Sequence, residues 1–300
     1  MTQVRSIRLV VLMLSLIASF MISAYLLNTA VSAAELPCLQ CHKSKKAGKV
    51  VHSAVETGCA TCHGEPHREE KPELDLTADL PELCYECHDE EMFQNKAVHG
   101  PVADGMCTSC HKPHSSDLEK LLTAEPPGLC YECHDEEMFQ KKSVHSAVAA
   151  GMCTSCHKPH TTDLEKLLIA EPPGLCYECH DKGMFTKDVQ HSPVADGECS
   201  VCHDPHASDY AGNLSSSQGD LCAMCHPDQS SGRHVLAGLG FGDTHPTDGR
   251  PDPSREGEEL SCVSCHSPHS SSHKGLFVHD GKETKNLCLL CHKKSSLRFN

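Results

Sequence analysis

Cysteine and histidine carry the chemistry of this 300-residue chain. All 22 cysteines fall in Cys-x-x-Cys-His pentapeptides, which gives eleven motifs and leaves no cysteine over for a disulfide scaffold. In such a motif the two thiols can add to the vinyl groups of a haem, and the adjoining histidine becomes the proximal ligand of the iron. The attachment cysteines are then Cys38 and Cys41, Cys59 and Cys62, Cys84 and Cys87, Cys107 and Cys110, Cys130 and Cys133, Cys153 and Cys156, Cys176 and Cys179, Cys199 and Cys202, Cys222 and Cys225, Cys262 and Cys265, and Cys288 and Cys291. Their proximal histidines are His42, His63, His88, His111, His134, His157, His180, His203, His226, His266 and His292. Histidine makes up 24 of the 300 residues, so chance would place one after a given Cys-x-x-Cys in only 8% of cases, yet it follows every one. Zinc knuckles need no such histidine and pair two by two, which an odd number of motifs does not allow. Redox dithiols would each need a surrounding βαβ pattern, and the sequence has none. The cofactor reading is eleven covalently attached haem c groups.

Thirteen histidines remain for the opposite faces of the irons. One group precedes the second motif of a pair by about eight residues: His52, His99, His145 and His191, with His245 in the same role displaced by an insertion. Another follows the second motif closely: His67, His114, His160, His206 and His269. His279 stands nine residues before Cys288 and can serve the last motif, which leaves His234 and His273 as surface residues. His114 is three residues from His111, a reach of at most about 10 Å for extended chain. Two ligands so close in sequence cannot clasp one haem from both sides. The residues of this second group must therefore ligate neighbouring haems, while the iron served by His99 and its equivalents is left open. Met92, Met138 and Met184, with Tyr85, Tyr131 and Tyr177 inside the motifs, are expected to pack against haem edges rather than ligate. No residue is assigned a catalytic role.

The elements that position these residues form a repeat. Cys38, Cys84, Cys130, Cys176 and Cys222 are 46 residues apart, so the repeating unit holds two motifs, and 27 of 33 positions agree between residues 82–114 and 128–160. Fixed-period self-similarity marks a modular array. The expected organisation is a leader over 1–34, pairs over 35–82, 83–128, 129–174, 175–220 and 221–280, and a single motif over 281–300. The fifth pair carries an inserted loop over 227–260, rich in Gly, Pro, Ser and charge, where a specialised site would be sought first. Ser116 to Glu119 and Thr162 to Glu165 are spaced as capping boxes, which predicts short helices in the linkers, ended by Pro-Pro-Gly. With four per cent aromatic residues and no tryptophan, side chains alone cannot fill a core. The predicted fold is mostly irregular coil with short α-helices, little or no β structure, and a haem-dominated interior.

Arg5 and Arg8, the apolar run Leu9 to Leu27 and the small residues through Ala34 have the layout of a secretory signal. An uncleaved membrane anchor is the competing reading, because the run is also long enough to span a bilayer. Either places the remainder in the periplasm or at the outer cell surface. Lysine and arginine total 26 against 41 aspartates and glutamates, a balance that argues against nucleic acid as a partner.

The unit LCYECH, then VH, then GMCTSCHKPH resembles the doubled-CxxCH modules of bacterial multihaem cytochromes c, and also the repeats of periplasmic decahaem electron conduits. The resemblance implies bis-histidine haems in contact that pass electrons between partners in anaerobic respiration. Those partners would be a quinol-oxidising membrane cytochrome, other multihaem cytochromes or a terminal reductase. This chain departs in having eleven motifs rather than ten and an expanded fifth pair. Two other readings stand beside the carrier: a terminal reductase of nitrite, hydroxylamine, a sulfur oxyanion or a metal with one open iron, and a self-assembling haem filament.

Overall fold

The computed structural model describes residues 36–64, 76–230, 246–247, 249–279 and 287–292. The expected leader lies outside them, as do His67, His234 and His245. Among the described residues no helix is long and apolar enough to cross a membrane.

Each motif is a single tight turn. In all eleven the proximal histidine N–H donates to the carbonyl of the first cysteine at 2.8–3.1 Å, closing one helical turn that turns both thiols and the imidazole to one side. The first motif of a pair continues a short helix, as at Glu82–Tyr85, Gly128–Tyr131, Gly174–Tyr177 and Gln218–Cys225. The second is a helical turn such as Cys107–Cys110 or a 3-10 turn such as Cys153–Ser155 and Cys199–Val201. Among the described residues the motifs are joined by coil, by short helices such as Ser53–Thr57 and Ser146–Ala149, by 3-10 turns and by eight two-residue strands.

Those strands link one repeat to the next. β1 (Val50–Val51), β2 (Ala97–Val98), β4 (Ser143–Val144) and β6 (Val189–Gln190) each precede a first-group histidine. β3 (Ser115–Ser116), β5 (Thr161–Thr162), β7 (Ala207–Ser208) and β8 (Ser270–Ser271) each follow a second-group histidine. They pair antiparallel as β1 with β3, β2 with β5, β4 with β7 and β6 with β8, in registers such as Val50 opposite Ser116 and Val144 opposite Ala207.

The linkers predicted to be helical turn out otherwise. Residues 115–116 and 161–162 are strand, and only Glu119–Leu121 and Glu165–Leu167 form 3-10 turns, with Lys120, Leu121, Lys166 and Leu167 at positive φ of 56–58°. Ser116 and Thr162 do not cap a helix. Each hydroxyl donates to a carbonyl six residues on, at Leu122 and Leu168, and accepts from the N–H two residues on. The left-handed turn is needed because the Lys120 and Lys166 carbonyls must swing back to a proximal histidine. Pro-Pro-Gly likewise begins the next motif helix rather than ending a previous one.

Glycine before the second motif is required by close approach. Gly105, Gly151 and Gly197 have φ of +69°, +69° and +76°, and a Cβ there would fall 2.6–2.7 Å from Cδ of Pro81, Pro127 and Pro173. This contact holds the two motifs of one repeat together.

Two compact bodies are distinguished, Met1–Phe93 with Gly100–Glu125, and Gln94–His99 with Pro126–Asn300. Among the described residues neither shows an apolar core of ordinary kind. The buried hydrophobic residues among those described are Ala207 and Leu260, while Ser116, Thr161, Thr162, Ser208, Ser270 and Ser271 make up most of the rest of the buried set. Met92, Met138, Met184 and Met224 stand more than half exposed. A polypeptide this open cannot offset its conformational entropy by burying its own side chains. Apolar rings attached at the motifs would supply what is missing.

Candidate haem centres

Histidines face each other in pairs whose ring planes lie 5–29° apart. In the first body His52 lies over His88 with ring centroids 6.1 Å apart and planes 5° apart, and His63 over His114 at 5.8 Å and 8°. In the second, His99 faces His134 at 6.1 Å, His145 faces His180 at 6.0 Å and His191 faces His226 at 6.1 Å. His157 faces His206 at 5.9 Å and His203 faces His269 at 5.8 Å. Two imidazoles bound to opposite faces of one metal, each nitrogen about 2 Å from it, would have centroids roughly 6 Å apart. The seven pairs fit a bis-histidine haem iron.

Every pair joins one motif histidine to one histidine outside the motifs, and the direction depends on the group. His52, His99, His145 and His191 reach forward to the first motif of the next repeat. His114, His206 and His269 reach back to the second motif of the previous repeat, as their short distance from their own motifs requires. A backbone bond couples the two kinds: His52 N–H donates to the His114 carbonyl at 2.8 Å, His99 to His160 at 2.8 Å, His145 to His206 at 2.9 Å and His191 to His269 at 3.0 Å. The strand pairs thus place two histidines from outside the motifs at each junction.

The ring nitrogens are set by backbone carbonyls. Nδ1 of His111, His157, His203 and His266 lies 2.8 Å from the carbonyls of Lys120, Lys166, Gly212 and Gly275. Nδ1 of His52, His99 and His191 lies 2.9–3.0 Å from the carbonyls of Pro113, Pro159 and Pro268. A carbonyl only accepts, so Nδ1 carries the proton and Nε2 keeps the lone pair a metal needs. Burial, reinforced by nearby positive charge and other imidazoles, lowers the pKa of His114. Burial likewise lowers that of His206 and His269, which favours the neutral, ligating form.

Neighbouring motifs bring their thiols together. Cys84 is hydrogen-bonded to Cys107, Cys176 to Cys199 and Cys222 to Cys262, and burial followed by the adjacent thiol pushes each first-named group up to about 11. Between repeats, burial and then the charge of Cys87, Cys179, Cys225 and Cys291 raises Cys62, Cys156, Cys202 and Cys265.

Phe139 and Phe185 were not singled out by spacing. Phe139 sets its ring edge-on to His206 at 5.4 Å and 83°, and touches Tyr131 at 5.6 Å. Phe185 meets His269 at 5.0 Å and Tyr177 at 5.8 Å. The signal available in the sequence is the Met-Phe dipeptide that follows the first motif of the second, third and fourth pairs. His279 is exposed and stacks on no other described histidine.

The inserted loop has a local structure of its own. Asp252, its side chain fully buried, accepts from Arg255 Nε at 2.8 Å, Ser264 Oγ at 2.6 Å, and the Ser254 N–H and hydroxyl at 2.8 and 2.6 Å. These bonds hold its carboxyl far below the usual range against the opposing effect of burial. Ser264 lies inside the motif of Cys262 and Cys265, so this part of the loop clamps a motif.

A family model for the doubled CXXCH motif matches residues 52–93, 99–139, 145–185, 191–231 and 252–297, most of the chain. The chain belongs to the doubled-CXXCH family. Like other members it is a multihaem c-type cytochrome, with haem c covalently bound at its motifs. Each of the first four matched segments opens within a residue of a forward-reaching histidine and runs through the motif it faces, so the structural repeat and the family repeat share one frame. The chain is also 31% identical over 85 residues to "Multiheme cytochrome MtrA" of Shewanella baltica (strain OS185), covering 26% of this chain and 25% of that protein. It therefore matches about a quarter of the length of that curated relative.

Proposed function

We propose that this doubled-CXXCH cytochrome carries eleven haem c groups and acts as an exported electron carrier. The observation that carries the reading is the set of seven facing histidine pairs at 5.8–6.1 Å. Once attached, haem supplies a one-electron ferric/ferrous couple. The chain's residues hold and tune it: cysteines fix each group, paired imidazoles close both faces, and carbonyls at Nδ1 lock the tautomer. Two imidazoles favour lower potentials than imidazole with thioether, which suits anaerobic respiration. Contact between thiols of successive motifs keeps attachment points close, as electron exchange between neighbours requires. For positions without a described pair, spacing supplies His67, His160, His245 and His279. The leader directs the chain to the periplasm or outer surface, where it would exchange electrons with other redox proteins.

The test is the visible spectrum of the fully reduced protein before and after carbon monoxide. An unchanged spectrum means every iron is closed and supports the carrier. A change worth one haem or more would favour the reductase reading. A haemochrome assay should return eleven haems per chain.

A further inference from the structure

The first repeat differs from the second and third in charge at one defined place. After the motif of Cys38, Cys41 and His42 comes a 3-10 turn, Lys43–Lys46, with the sequence KSKK. The corresponding turns of the second and third repeats, Glu90–Phe93 and Glu136–Phe139, read EEMF. The same turn forms with either sequence, so folding does not decide its charge. Lys43, Lys45, Lys46 and Lys49 are exposed. Lys112, also exposed, joins Lys45, Ser44 and Ser115 around a cavity beside His114. Lys46 pairs with Glu56 at 3.3 Å, whereas Lys43, Lys45 and Lys112 reach no carboxylate among the described residues. Residues 38–64 hold four lysines and one glutamate in a chain of formal net charge −15.

We propose that Lys43, Lys45, Lys46, Lys49 and Lys112 form the docking surface for an acidic redox protein that exchanges electrons at the first motif. Clustered charge opposite in sign to the rest of the molecule steers a partner to one place and orients it, an effect on association rate that salt suppresses. Residues 65–280, with 38 aspartates and glutamates against 15 lysines and arginines, repel such a partner, so the charge distribution keeps it off most of the chain. Chemically the step is one electron leaving the partner's reduced cofactor and one ferric iron becoming ferrous, with no bond made or broken. The proposal rests on the carrier reading above.

The test uses the full haem-loaded chain, with flavodoxin hydroquinone reducing the oxidised chain as an acidic probe and ferric basic cytochrome c oxidising the reduced chain as control, both followed by stopped-flow absorbance. For the unaltered chain the second-order rate with flavodoxin should fall steeply between about 10 mM and about 1 M salt, where the screening length shrinks from about 30 to about 3 Å. In Lys43→Glu/Lys45→Glu it should be roughly ten-fold slower at the low end and converge at the high end. Lys43→Gln/Lys45→Gln should lie between, with unchanged haem content. Equal rates for variant and unaltered chain at low salt would overturn the proposal. So would a shift in midpoint potential that alone accounts for the changed rates with both probes, which would assign the lysines to the carboxylates of the chain's own haems. Lysine-dependent binding to phosphatidylglycerol vesicles with an unaltered flavodoxin rate would assign them to a lipid surface instead. Failure of the unaltered chain to exchange electrons with either probe would sink the carrier reading itself.

Discussion

At the scale of single residues, the second-group histidines are the most exposed to test. His206 faces His157, so His206→Ala should open one iron. The reduced variant is expected to bind one carbon monoxide per chain where the unaltered protein binds none, read by difference spectroscopy. Planes within 5–29° of parallel predict rhombic low-spin signals in the paramagnetic resonance spectrum of the oxidised protein, not the strongly axial type that crossed imidazoles give. Asp252 is a different case, a buried carboxylate whose folded pKa is depressed by its hydrogen bonds. Its contribution is present above the ordinary carboxylate pKa and is lost as pH falls below about 4. Asp252→Ala should cost about 2–4 kcal/mol at neutral pH, with the difference from the unaltered protein shrinking in acid, checked by denaturant titration at several pH values. Spacing alone showed that His114 cannot share an iron with His111. It could not show that His99 reaches forward, because that depends on a strand pair between residues more than sixty positions apart. The Phe139 contact with His206 was hidden for the same reason.

Among the elements, the left-handed turns are where local pattern and structure part company. Ser116 with Glu119 and Thr162 with Glu165 have the spacing of a capping box, and local propensity alone favours helix. The competing demand is the carbonyl at Lys120 or Lys166, which must reach a histidine nine residues back. Later repeats carry Gly212 and Gly275 at this corner with φ of +67° and +69°, residues that adopt such angles without a Cβ penalty. Lys166→Gly should therefore be neutral or more stable by up to about 1 kcal/mol. Gly105→Ala should destabilise by more than that, since positive φ and contact with Pro81 add together. Thermal or denaturant unfolding followed at the Soret band checks both. The strands are too short for alternation to mark them. They exist because backbone bonds at the histidine junctions leave adjacent residues in extended register.

For the whole molecule, the repeat and the cofactor were legible because chemistry fixes their spacing, and the coil-dominated architecture follows from them. A chain whose described buried apolar residues are Ala207 and Leu260 has little to collapse upon without its rings. Expression without haem attachment should give a chain with weak circular dichroism and rapid proteolysis along its length. The acid excess has a redox counterpart: each added electron increases negative charge, so potentials should fall as pH rises, measured by spectropotentiometry at several pH values. The thiol contacts between motifs bear on a different stage of the protein's life. Cys84 with Cys107, Cys176 with Cys199 and Cys222 with Cys262 are close enough for an oxidant to join if the loops folded before haem arrived. Maturation is thus a race between thioether and disulfide formation, and crowding of the motifs sets how much time the attachment machinery has.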